Sequence, residues 1–374
     1  MKFSSKKIIM LFLILFFVSI FYFVGSNIFI TKEKNKFVNI SELSEEFMTN
    51  YFKESEELIK EHNDNVILLV SKKDIKDVNA TKILKAPNNT YILQYKDEIS
   101  KNKALKNFKK DKNVFGVIEN REYTFSENDN VEYNSWGVEK VGFNYINNMI
   151  NNDGGYSSVV AAIIDTGCDM DLFNKSYDGK IVETYNLYQA NVYGNDNVMF
   201  DHFGHGTHIA GTIAEATPNN VKILPVKVSD DRSVDTVNIL HAINYITYNH
   251  KADVINMSFG ATYGNDYDYT NDPEYIAIEA AKEEGIISVA AAGNSNSSNY
   301  EYPAAFDNTI SISAVDDNLD KAEFSSYGDR VTFAAPGVNI KSINGIKSGT
   351  SMATPHAVSA VAIVKSINKN IFKQ

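Results

Sequence analysis

The sequence predicts an α/β protein: a central parallel sheet flanked by helices, preceded by a smaller α/β unit. Three observations lead there. From residue 159 onward, short apolar runs alternate with helical stretches. Strands apolar on both faces belong to parallel sheets that are covered on both sides. A polar, turn-rich tract at 126–132 (SENDNVE) separates this region from what precedes it. The charge also changes sign there. Residues 1–125 hold 21 basic and 16 acidic side chains, a net +5, and residues 126–374 hold 15 and 31, a net −16. Such a split fits two units of opposite sign docked on each other.

The elements follow in chain order. Lys6 and Lys7 precede an uncharged, mostly apolar run at 8–30. It is long enough to span a bilayer, and with Val24-Gly25-Ser26 it also has the form of a secretory signal. Either way the rest of the chain is expected outside the cytoplasm, and both a cleaved signal and a retained membrane anchor stay open. Residues 31–125 form the next unit. Leu43, Phe47, Tyr51 and Leu58 have helical spacing, 66–70, 91–95 and 114–118 read as strands, and 97–111 has helical composition. Residues 126–135 read as a linker. In 136–374, strands are expected at 159–164, 221–228, 254–258, 286–292 and 310–315, with helices at 234–248 and around 275–284.

Composition narrows the function. The chain has 374 residues, of which 44% are hydrophobic, enough for a sizeable core. The net charge of −11 argues against nucleic acid as a partner. A single cysteine, Cys168, rules out an intramolecular disulfide and reads as a small packed hydrophobe.

Three short stretches carry chemistry. Asp165 leaves a buried strand in Ile163-Ile164-Asp165-Thr166-Gly167. His205 lies in Gly204-His205-Gly206-Thr207-His208, and Ser351 in Gly349-Thr350-Ser351-Met352-Ala353-Thr354-Pro355. A serine hydroxyl becomes a useful nucleophile when a neutral imidazole can take its proton and a carboxylate orients that imidazole. Asp165, His205 and Ser351 could supply the three groups. Asn294, after the apolar run 286–292, could add a side-chain donor for an oxyanion. In open parallel sheets functional residues gather at the carboxyl ends of strands, where Asp165, Ser258 and Asn294 fall. A zinc site on His202, His205 and His208 is the competing chemistry. Phe203 and Gly206 stand where its general-base glutamate would be needed.

These stretches, with residues 253–258 and Tyr302-Pro303-Ala304, resemble the subtilisin-like serine peptidases, the subtilases. The resemblance runs from about Trp136 to the C-terminal helix. The chain order Asp…His…Ser is that of subtilisin. The resemblance implies a serine endopeptidase with Asp165, His205 and Ser351 as triad, Asn294 as oxyanion donor, and Ser258, Phe259 and Gly260 pairing with a polypeptide substrate as an added strand. It implies that the preceding unit is the chain's own propeptide, removed within 126–135. A monomer is expected, with membrane association only through the N-terminal run. A general extracellular protease and a lantibiotic leader-type processing peptidase are both compatible. An inactive peptide-binding scaffold is the alternative.

Besides Cys168, three residues past Asp165, the sequence departs from the family in two places. The connection 215–220 is shorter than the loop that binds calcium in well-known secreted subtilisins, so no cofactor is firmly expected. Asp266, Asp268, Asp272, Asp316 and Asp317 read as solvated loop residues. Asp230-Asp231-Arg232-Ser233 replaces a glycine-containing edge strand, and its acids are expected to favour basic substrates.

Overall fold

The computed structural model describes residues 43–60, 64–125, 128–129, 136–153, 155–187 and 199–369. The apolar run at 8–30 and most of the linker lie outside them. Among the described residues no helix is long and apolar enough to cross a membrane.

The N-terminal unit contains α1 (Glu45–Lys60), β1 (Val66–Ser71), β2 (Ala80–Lys85), β3 (Thr90–Tyr95), α2 (Glu98–Phe108) and β4 (Val114–Glu119). Its antiparallel sheet has the order β2-β3-β1-β4. Strand β2 was not expected, because it is half-exposed and its two lysines break the apolar run. Asp97 starts α2 by accepting the Ser100 N–H at 2.8 Å. Strand β1 is buried on both faces. Ile67 and Leu69 pack with Ala104 and Leu105 of α2. Val66 and Leu68 join Met48, Tyr51 and Leu58 of α1 in a cluster that continues through Ile239 and Ile243 into the rest of the molecule.

The chain continues with β5 (Glu122–Phe125), β6 (Asn128–Asp129), α3 (Trp136–Val141), α4 (Phe143–Asp153), β7 (Val159–Asp165), α5 (Met170–Tyr177) and β8 (Tyr185–Asn186). Then come α6 (His205–Ala216), β9 (Val221–Lys227), β10 (Ser233–Asp235), α7 (Thr236–Tyr248), β11 (Val254–Met257), β12 (Phe259–Thr262), α8 (Pro273–Glu283) and β13 (Ile287–Ala291). The last elements are β14 (Glu301–Tyr302), β15 (Ile310–Val315), β16 (Phe333–Pro336), β17 (Ile340–Ser342), β18 (Gly345–Ser348) and α9 (Thr350–Ile367).

Seven parallel strands form the central sheet in the order β16-β15-β13-β11-β7-β9-β8. Helices α6 and α9 pack on each other and on one face, and α7 and α8 do so on the other. On the α7–α8 side, Ala162, Ile164, Leu224, Val226 and Met257 share one cluster with Ile239, Ile243 and Ile278. The stretch expected as a helix from 234 begins two residues later. Val234 is taken into β10, where it pairs with Tyr123 of β5.

Polar bonds hold α1 to α7. His241 is fully buried, and burial pushes its imidazole down to about 3. Its Nε2 lies 2.7 Å from the Tyr185 hydroxyl, which itself donates to Glu56. Its Nδ1 lies 2.6 Å from the Ser55 hydroxyl. A neutral ring protonated on Nε2 satisfies both. Asn244 also donates to the Tyr51 hydroxyl at 3.1 Å.

Candidate active site

The site lies where α6 and α9 begin. Asp165 is the last residue of β7, and its Oδ1 accepts the His205 Nδ1–H at 2.8 Å. The same oxygen accepts the Thr166 N–H at 2.8 Å, which fixes the carboxylate's rotation. Both side chains are buried. His205 is the first residue of α6. The turn into that helix requires Gly204, whose φ of +76° favours glycine.

Asp201, which sequence reasoning passed over, holds this corner together. Its carboxylate accepts from Thr166 Oγ1 (2.8 Å), Gly204 N (2.8 Å), Thr207 N (2.7 Å) and Thr207 Oγ1 (2.7 Å). The end of β7 and the first turn of α6 are thus tied to one buried acid. The available signal was an aspartate four residues before a glycine-flanked histidine.

Ser351 is the second residue of α9 and is fully buried. Its hydroxyl donates to the Ser258 carbonyl at 2.8 Å, and the Ser258 hydroxyl donates to the Ser351 carbonyl at 3.0 Å. Ser258 therefore meets Ser351, while Phe259 and Gly260 meet a strand. Asn294 follows β13. Its Oδ1 accepts both the Thr350 N–H and the Thr350 hydroxyl at 2.9 Å. With the oxygen so engaged, the orientation of the amide is set and its Nδ2 remains a donor.

A short antiparallel sheet runs past these groups in the order β10-β5-β12-β14. Strand β5, the end of the N-terminal unit, is its second member. Thr124 pairs with Ser233 and Gly260, Tyr123 with Val234, and Phe125 with Phe259. The Phe125 ring lies 5.1 Å from the His205 ring, centroid to centroid. Tyr123 and Phe125 are buried, whereas Glu122 and Thr124 face solvent.

Acidic groups are distributed differently from the sequence expectation. Asp230 does not present its charge to the strand. It bonds the buried Lys227 ammonium and lies 3.3 Å from His202 Nδ1. Near β5 the buried acids are Asp272 and Glu274. Glu301, on β14, is a further acid that went unread. Its carboxyl accepts from the Ser295 and Ser326 hydroxyls at 3.1 and 3.4 Å, and burial pushes it above the usual range. It lies so close to Gly293, whose φ is +103°, that a Cβ there would collide with it.

The three histidines of the zinc alternative do not converge. His205 bonds Asp165, His202 lies near Asp230, and His208 donates from Nε2 to the Ile340 carbonyl at 2.9 Å, with burial pushing its ring down to about 3. Among the described residues no group of three or more His, Cys, Asp or Glu side chains could hold a metal ion. In the shortened connection after α6, Lys180 Nζ donates to Thr217 O, Thr217 Oγ1 and Pro218 O at 2.8, 3.0 and 2.9 Å. Cys168 is buried, and burial raises its thiol.

An α/β sheet with an oriented histidine, a serine at a helix start and a peptide strand beside them fits a serine-type peptidase. Comparison with known proteins agrees. Residues 156–374 match the pattern described as "Subtilase family". The chain is 32% identical over 281 residues to the thermostable alkaline protease of Halalkalibacterium halodurans, covering 71% of this chain and 70% of that one. It is 36% identical over 228 residues to subtilisin DY of Bacillus licheniformis, covering 56% and 77%. The chain belongs to the subtilase family and is a serine endopeptidase. Every residue assigned to the candidate site lies within the matched part.

Proposed function

We propose that the chain is made as an exported, self-processing zymogen whose Asp165, His205 and Ser351 form the catalytic triad. The carrying observation is β5, a strand of the chain itself that lies between β10 and β12 with Phe125 against His205. It occupies the slot a substrate strand would take, so the unit it ends is read as a propeptide that blocks the site until cleavage within 126–135.

The residues would act as follows. The Ser351 hydroxyl leaves the Ser258 carbonyl and passes its proton to His205 Nε2 as Oγ attacks the scissile carbonyl carbon. Asp165, bonded to Nδ1, orients the ring and stabilises the imidazolium. The oxyanion accepts from Asn294 Nδ2 and the Ser351 N–H, at the positive end of α9. Collapse breaks the C–N bond, and His205 gives its proton to the leaving amine. Water, activated by the same histidine, then releases the acyl group and restores Ser351.

Export rests on Lys6, Lys7 and the uncharged run at 8–30. General extracellular proteolysis and leader-type processing of a peptide precursor both fit this reading. The test is intact mass of the full chain, wild type against Ser351→Ala. Loss of the N-terminal unit in wild type alone is expected. Cleavage of both chains would assign processing to another protease. Cleavage of neither, with no labelling by a fluorophosphonate, would leave an inactive peptide-binding scaffold.

A further inference from the structure

Arg121, just ahead of β5, is held by a built cation site. Its Nη1 donates to Asp272 Oδ2 at 3.0 Å and its Nη2 to the Tyr267 hydroxyl at 2.8 Å. The guanidinium carbon lies 3.9 Å from the Tyr263 ring centroid and 4.8 Å from that of Tyr267. Asp272 is completely buried, and Tyr267 donates its own proton to Asp272 at 2.6 Å. Carboxylate, phenol oxygen and two ring faces therefore converge on one planar cation, the arrangement that suits arginine.

Two residues along, Tyr123 enters a second part of the same pocket. Its hydroxyl bonds Glu274 Oε2, and its ring meets Phe259 and Tyr263 edge-on at 5.8 and 6.2 Å. Glu274 is fully buried, and its other oxygen, Oε1, has no hydrogen-bond partner. An acid buried in that state is a cost to folding unless a ligand uses it. Arg121, Tyr123 and Phe125 thus face the pocket at a spacing of two, and the residues between them face solvent. That is how an added strand is read, through alternate side chains.

Asp272, Glu274, Tyr263, Tyr267 and Phe259 all belong to the subtilase-matched part of the chain. They stay when the N-terminal unit leaves, and a substrate entering the slot of β5 meets them in the same register. We propose that this pocket selects substrates of the mature enzyme. It favours peptides with an arginine four residues before the one that packs on His205, and an aromatic hydroxyl two residues before it. The inference rests on the reading of β5 as a substrate-like strand and adds the substrate class.

The test uses the full chain after self-processing and internally quenched peptides spanning residues 119–131 of its own sequence. The peptide with Arg121→Ala should lose at least about 30-fold in kcat/KM, as expected when a buried charged pair is broken. Tyr123→Phe should lose about 3- to 10-fold, the effect of one hydrogen bond between neutral groups. Thr124→Ala, which faces solvent, should change little. The ratio between the parent and Arg121→Ala peptides does not depend on how much enzyme is active. In Asp272→Asn enzyme, which keeps a side chain able to cap α8, that ratio should fall towards one. Equal kcat/KM for the parent and Arg121→Ala peptides would overturn the inference and leave the pocket as a dock for the N-terminal unit alone. A parent peptide left uncut by enzyme that a fluorophosphonate labels would overturn it as well. Absence of any labelling would instead remove the catalytic reading beneath it, and this one with it.

Discussion

Replacing Glu274 by glutamine in a Ser351→Ala background should remove much of the chain's loss of stability between pH 5 and pH 9. Glu274 lies in the first turn of α8 with no exposed surface, and its Oε2 is bonded to the Tyr123 hydroxyl. Burial, and then the nearby Asp272 charge, push its carboxyl up from the ordinary 4.5 to about 8, against smaller opposing effects of Tyr123 and Arg121. The folded value exceeds the unfolded one, so the folded chain keeps a proton that the unfolded chain gives up between 4.5 and 8. The corresponding stability is fully present below pH 4.5 and is lost as pH rises through about 8. Between pH 5 and pH 9 this amounts to about 4 kcal/mol, a large share of a typical domain's stability. Glutamine has nearly the same shape, still accepts from Tyr123 and cannot ionise. Urea unfolding of both chains at pH 5, 7 and 9 measures the effect, with the Ser351→Ala change preventing self-cleavage. The glutamine variant should gain on its parent by about 4 kcal/mol across the range. Parallel profiles would show that Glu274 does not hold its proton in the folded state, and the reasoning would fail.

Three further outcomes are expected. His241, held at about 3 by burial against an ordinary 6.5, has a depressed folded value, so its contribution is present above 6.5 and is lost as pH falls. In the same background, His241→Gln should remove about 3 kcal/mol of destabilisation between pH 6.5 and pH 4, read by urea unfolding. Asn294→Ala should lower kcat by about 100- to 1,000-fold with little change in KM, the loss known for subtilisin's own oxyanion asparagine, and a loss below tenfold would remove Asn294 from that role. Lys180→Met removes the donor from Thr217 O and Thr217 Oγ1 and one of two donors from Pro218 O, and should cost about 2 kcal/mol in urea unfolding.

What the sequence made legible, and what it hid, follows from how far apart the partners lie. Strands β7, β9, β11, β13 and β15 are mostly apolar because both faces of the sheet are covered, and that pattern is local. The candidate triad was legible because Asp165, His205 and Ser351 each sit in a short stretch shaped by tight local geometry, such as the turn at Gly204. Strand β2 was missed because its lysines face outward from a half-exposed position. The Arg121–Asp272 pair joins residues 151 positions apart, as does the bond between Tyr123 and Glu274. Nothing near Glu274 in the sequence distinguishes a buried acid from one on the solvent face of α8. The charge split gave the sign of this interface but not its place. The stretch 230–233 pointed to Asp230 and Asp231, yet Lys227 bonds Asp230. Charge counts average over a surface, whereas recognition depends on which few charges are buried beside the strand. Residues 121–125 would supply that selection: alternate residues face inward, and the two that meet acids are Arg121 and Tyr123. On the proposed zymogen reading, the unit that ends in β5 would also carry, in its last five residues, the pattern by which the open cleft reads a substrate.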